Sequence, residues 1–118
     1  MIDSGTKKNK HYNFESLKML ADGDEQYFQE LKEVFIRFFD ELKKEYQDLM
    51  ISGDAVRLST LAHRVYPTLE MLEITSLEEE IKKGQYLLTS ETSVKVLNQS
   101  NKNLQNDCDY FIEKLSQL

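Results

Sequence analysis

The sequence is poor in the residues that turn a chain. It has one proline and four glycines in 118 positions. Few turn formers allow few turns, so long helices are expected rather than many short strands. Neither Asn-Gly nor Asp-Gly stands between alternating apolar runs, and Asp22-Gly23 lies between segments of helical period. The single cysteine, Cys108, excludes an internal disulfide and sits on an apolar stripe, which makes it core filler. Two histidines and one cysteine provide no zinc set at ligand spacing. Gly-rich phosphate loops and Gly-x-Ser-x-Gly elbows are lacking as well. No apolar run approaches the roughly 18 residues of a membrane span, and the N-terminus lacks an apolar signal core. A cytoplasmic location is expected. There is no basic stripe: the net charge is −6 and the only basic cluster is Lys7, Lys8 and Lys10, so nucleic acid is not an expected partner.

At this length the chain forms one domain and can bury a core without staples. Residues 1–11 are polar and read as a flexible tail, with His11 a surface residue at its end. Residues 12–118 read as the folded domain. Asn13 is placed to cap a short helix through Leu20, with Phe14 and Leu17 as its apolar side. Asp22-Gly23-Asp24 stops that helix and caps the next. From about 25 to 51, Phe28, Leu31, Phe35, Phe38, Leu42 and Leu49 recur at helical spacing, widened by Tyr27, Val34, Phe39 and Tyr46. Gly53-Asp54 repeats the stop and cap before a helix from about 55 to 73. Ser76-Leu-Glu-Glu79 has the pattern of a capping box opening a helix to about Leu88, with Leu77, Ile81, Gly84 and Leu88 facing inward. A last helix, about 92 to 117, carries Val94, Leu97, Leu104, Cys108, Phe111, Leu115 and Leu118, interrupted at Asn101. The expected fold class is all-α: an antiparallel up-down four-helix bundle with a short extra N-terminal helix.

The third of these five helices holds the chemistry. At about 100° per residue, Leu61, Ala62, Val65, Leu69 and Leu72 fall within about 60° of Leu58 and form a core face. His63 falls about 140° away and points outward. Pro67 and Met71 lie beside it, so an apolar border surrounds an exposed histidine and suggests a docking surface. Pro67 has no N–H for the His63 carbonyl. Breaking the helix there would split the core face, so a continuous, slightly bent helix is expected. Ser59 and Glu70 flank His63, but no oxyanion donors accompany them and a hydrolase is not indicated. No Glu-x-x-His pair for a di-metal bundle exists, because Thr60 precedes His63 by three.

At these residues the chain resembles the histidine-containing phosphotransfer (HPt) domain family. The likeness covers about residues 12 to 90, and the last helix fits in length. Phe14 to Phe28 looks like the family's opening helix and acidic Gly-Asp turn. Ala62-His63-Arg64-Val65-Tyr66-Pro67-Thr68 looks like its Ala-His-x-Leu-Lys-Gly-Ser signature, followed by apolar Leu69, Met71, Leu72 and Ile74. Tyr66 replaces the family's usual lysine, Pro67 its glycine, Glu73 a second common glycine, and Lys82 an acidic residue of the next helix. Gln85 falls where some members place a glutamine that orients the imidazole.

The resemblance implies a phosphorelay carrier, not an enzyme in itself. His63 is the implied phosphoacceptor, with Arg64, Tyr66 and Gln85 as neighbours of phosphate or imidazole, and Thr60, Pro67, Glu70 and Met71 as docking residues. The implied partners are response-regulator receiver domains and a hybrid sensor histidine kinase; charge and hydropathy argue against nucleic acid and membrane, and a monomeric chain is expected. No metal or cofactor is implied on this chain, and Mg²⁺ is expected on the receiver. The attacking imidazole must be neutral, and histidine titrates near enough to neutrality for that form to be present at pH 7. Two other readings stand beside this one: a degenerate module that binds receivers or kinases without phosphotransfer, and a plain helical bundle with an incidental exposed histidine.

Overall fold

A computed structural model describes residues 10–118. Five helices follow in order: α1 (Glu15–Ala21), α2 (Glu25–Ser52), α3 (Ala55–Met71), α4 (Thr75–Leu88) and α5 (Val94–Ser116). The four long helices pack antiparallel, with α1 laid against α2. The expected fold class is observed. Among the described residues no helix is long and apolar enough to cross a membrane. Contacts are most extensive between α2 and α5, then run from α5 to α4 and from α4 to α3. The α2–α3 seam is sparse and opens into a groove lined by Phe38, Glu41, Leu42, Glu45, Arg64 and Thr68.

Local signals account for most helix ends. Asp24 accepts from the Tyr27 N–H at 3.0 Å, Asp54 from Arg57 at 3.0 Å, and Ser93 from Val96 at 3.3 Å. Each satisfies one of the donors left over at a helix start. Gly53 closes α2 at φ 73°, a left-handed conformation that glycine adopts without a side-chain penalty. At the end of α1 the left-handed turn begins one residue before the expected glycine, at Asp22 with φ 50°.

Four expectations are corrected. First, Ser76 is not the cap of α4. The helix starts after Ile74, without a side-chain cap, and the Ser76 hydroxyl is buried with no partner among the described residues. Ile74 is drawn wholly into the core and its N–H bonds the Leu69 carbonyl at 2.8 Å. Burying such a side chain is worth about 1.5–3 kcal/mol, more than the roughly 1 kcal/mol of a cap, so the core fixes the turn.

Second, the buried apolar column of α2 is Phe39, Leu42, Tyr46 and Met50. Phe28, Phe35, Phe38 and Leu49 only border the core, and Tyr27 and Val34 are exposed. The helix has turned so that its aromatics stack on α5, where the Phe39 and Phe111 ring centres stand 5.8 Å apart.

Third, the interruption of the α5 stripe is filled by buried Ser100 beside half-buried Asn101, while Val94 and Leu118 are exposed.

Fourth, the expected tail lies outside the described residues only as far as residue 9. Lys10 pairs with the nearly buried Asp107 at 2.6 Å, and His11 with Glu73 at 2.9 Å. Cys108 is buried as expected, and burial pushes its thiol pKa up.

The centre of the bundle is polar at one point. Ser100 donates its hydroxyl to the Glu80 carboxylate at 2.6 Å. Tyr46 then donates to Ser100 Oγ at 2.8 Å, with the Glu80 carbonyl at 3.2 Å as a second acceptor. Burial pushes the Tyr46 hydroxyl up from 10.0 to about 12. Gly84 makes room for it, because a Cβ there would overlap the Tyr46 hydroxyl.

Helix propensity alone favours alanine at position 84 by about 1 kcal/mol. The overlap should reverse that sign, giving a net loss of about 1–2 kcal/mol in urea unfolding of Gly84→Ala. In a Tyr46→Phe background the same substitution should cost much less, and simple additivity of the two changes would rule this packing out. The raised folded-state value also sets a direction with pH. The Tyr46 contribution is whole below about 10, the unfolded value, and is lost as pH rises towards about 12. Stability should therefore fall more steeply with pH above 10 in the parent than in Tyr46→Phe.

Candidate functional site

The leucine stripe of α3 sets the rotation of the site. Leu58, Leu61, Ala62, Val65 and Leu69 are buried, which turns His63 to the surface. None of the described residues hydrogen-bonds its ring. Thr60, Pro67, Glu70 and Met71 are exposed with it on the same side of the helix. The helix passes through Pro67 without a break and ends at Met71, two residues before the expected position. Because Pro67 lacks an N–H, the carbonyl of His63 has no partner one turn on.

The predicted neighbours of His63 divide between the two adjacent helices. Taking His63 as reference, Arg64 falls about 100° to one side and Tyr66 about 60° to the other. Arg64 Nη2 reaches Glu45 of α2 at 2.6 Å. Both partners are about half-exposed, so the pair is worth at most about 1 kcal/mol, yet it directs the guanidinium across the groove and away from α4.

Tyr66 is half-buried and leans on α4. Its hydroxyl donates to Gln85 Oε1 at 3.0 Å, and Lys82 Nζ stands 5.8 Å from the centre of its ring. The structure thus joins Tyr66 to Gln85, as two of the predicted site residues, but gives Gln85 a partner other than His63. Burial, and then the charge of Glu78, push the Tyr66 hydroxyl upward. Glu78 is itself pushed upward by burial and by Glu70 across the α3–α4 seam, with Lys82 acting in the other direction.

The residue missed by sequence spacing is Lys82. Its placement over Tyr66 is a contact between helices, and no spacing along one helix encodes it. A second feature lies at the end of α3. Glu73 adopts φ 58°, uncommon for a residue with a Cβ. Its carboxylate receives the Asn13 amide at 2.9 Å and meets His11 Nε2 at 2.9 Å. These bonds, Asn13 first, hold its pKa down. Asn13 also accepts from the Glu15 N–H at 2.9 Å, while its own N–H bonds the Leu72 carbonyl at 2.7 Å. One short segment therefore starts α1 and clamps the end of the histidine helix.

The arrangement offers an exposed imidazole on a continuous helix, with Arg64 drawn to the α2 side and Lys82 standing on the α4 side. No group of three His, Cys, Asp or Glu among the described residues is gathered to hold a metal. Compared with known protein families, curated proteins and solved structures, the chain matches none.

Two backbone features give stability predictions. Pro67→Ala restores an N–H to an exposed helix position and should raise stability by about 1–3 kcal/mol in urea unfolding. An unchanged midpoint would show that α3 has already adjusted to the proline. At position 73, Glu73→Ala loses the clamp and keeps the left-handed backbone, so it should have the lowest thermal midpoint. Glu73→Gly loses the same contacts but relieves the backbone, and should lie above Glu73→Ala.

Proposed function

We propose that the protein is a phosphorelay carrier of the histidine-containing phosphotransfer type, in which His63 accepts a phosphoryl group from a receiver-domain phospho-aspartate and passes it to a second receiver. The observation that carries the reading is the outward imidazole of His63 in the middle of a buried-faced helix. Its border of Thr60, Pro67, Glu70 and Met71 supplies a face on which a receiver docks. The left-handed Glu73 adds support, since it stands where the resembled family commonly has a glycine, the residue that such a backbone favours. The arrangement of four long helices and a short leading one agrees with the reading as well.

The chemistry is a group transfer between two nucleophiles. A neutral ring nitrogen of His63 directs its lone pair at phosphorus. The N–P bond forms as the P–O bond to the aspartyl carboxylate breaks, and that oxygen keeps the electron pair. The other ring nitrogen keeps its proton, so the product is a phosphoimidazolium and a free carboxylate. Onward transfer is the reverse, with the second receiver's aspartate as nucleophile. The receiver supplies Mg²⁺ and the groups around the phosphoryl oxygens. This chain supplies the nucleophile and the docking face, which suits an exposed imidazole.

The alternative is a module that binds receivers or kinases without carrying phosphate. The Arg64–Glu45 pair and the Tyr66–Gln85 bond favour it, because both engage side chains expected at the phosphate or imidazole.

The test charges receiver domains of the source organism with radiolabelled acetyl phosphate and Mg²⁺ and adds this protein. Acid-labile, base-stable label should appear, persist in His11→Gln and vanish in His63→Gln. Stable binding without label would replace the carrier reading with the binding module. Neither label nor binding across the receivers would leave a helical bundle with an incidental histidine.

A further inference from the structure

Two cations stand on the two sides of the histidine helix, and they are not equivalent. Arg64 is held in an ion pair with Glu45 on the α2 side. Lys82, on the α4 side, forms no ion pair with any described residue; its ammonium stands over the Tyr66 ring instead. Tyr66 follows His63 by three residues. Side chains at that spacing stand about 5–6 Å apart at Cβ on one helix face. A lysine stem has four flexible carbons and carries its charge as a point at the tip, so the Lys82 ammonium can move from the ring to a group carried on His63.

The surroundings give it reason to do so. Glu70 and Glu78 lie on the same border. A phosphoryl group brings nearly two negative charges at pH 7, so phosphorylated His63 needs a cation beside it. The Tyr66–Gln85 bond pins the aromatic platform between α3 and α4, and the ring face holds the ammonium nearby by cation–π attraction.

We propose that Lys82 is the phosphate-holding cation of the site, a positioning residue contributed from α4 across Tyr66 rather than from the histidine helix itself. The inference rests on the reading of His63 as a phosphoacceptor. It assigns Tyr66 a role as platform and Lys82 a role as counter-charge brought from the neighbouring helix.

Potassium phosphoramidate, a small anionic donor that phosphorylates exposed imidazoles directly, tests this without any receiver. His11 is exposed too and serves as a reference within the same molecule, with labelled sites separated by peptide mass. At low ionic strength, Lys82→Gln should lower the rate of His63 labelling relative to His11 by about 3–10-fold, and the difference should shrink as salt is raised. Lys82→Arg should stay near the parent rate, and thermal midpoints should change little because Lys82 is exposed.

Equal rates for Lys82→Gln and the parent would overturn the role of Lys82. So would equal slowing in Lys82→Gln and Lys82→Arg, which would make it a matter of packing. If His63 labels normally and depends on Lys82 but no receiver transfers to it, the relay reading fails while the charge assignment stands. If His63 does not label at all while His11 does, both fail.

Discussion

The burial of one stripe on α3 is the constraint on which the site depends. Leu58, Leu61, Ala62, Val65 and Leu69 are buried, and large-to-small changes at such positions cost about 2–5 kcal/mol each. The helix therefore cannot rotate without exposing several of them. Everything on the opposite face is fixed by this, including the outward direction of His63. The site needs no hydrogen bond to aim its imidazole, because the core on the far side of the helix does so. Pro67 is tolerated on the wet side for the same reason: its missing N–H costs one exposed hydrogen bond, while a break would forfeit part of the stripe.

A second constraint sets how the helices line up. Apolar packing alone leaves a bundle free to slide by a turn. The Tyr46–Ser100–Glu80 chain removes that freedom, since its donors and acceptors match at one register only and unmatched buried groups cost about 1–3 kcal/mol. Gly84 completes the device, because only a residue without Cβ lets the Tyr46 ring lie against α4. Three helices, α2, α4 and α5, meet at that point. α3 is tied to this unit through α4, so the α3–α4 seam is well packed and the α2–α3 seam is open. The asymmetry carries into the site, where Arg64 spans an open groove and Tyr66 rests on a packed neighbour.

The fold was legible in the sequence because helical period is a strong signal over long segments. The helix count, the outward His63 and the inward Gly84 could all be read from spacing, and α2, α4 and α5 end within about two residues of where the pattern places them. What escaped were pairings between helices. The capping pattern at Ser76 is genuine as sequence, but Ile74 has more to gain from the core than Ser76 has from a cap. Ser100 is a polar residue in a stripe, and only its contact with Tyr46 on another helix explains it. Lys10 and His11 look like tail residues until Asp107 and Glu73 are known to lie beside them. Of the site, the histidine and its exposed border were legible, whereas the partners of Arg64, Tyr66 and Gln85 were not.

The position three residues after His63 shows why spacing along one helix is an incomplete guide to a site on a bundle. A tyrosine there brings no positive charge of its own. In three dimensions the aromatic ring reaches α4 and holds an ammonium on its face. Tyr66 of α3 is the platform, and Lys82 of α4 brings the charge that stands on it. Tyr66 and Lys82 are complementary: the ring belongs to α3 and the charge over it comes from α4. Considered separately they say little about the site, and considered together they describe one arrangement of charge.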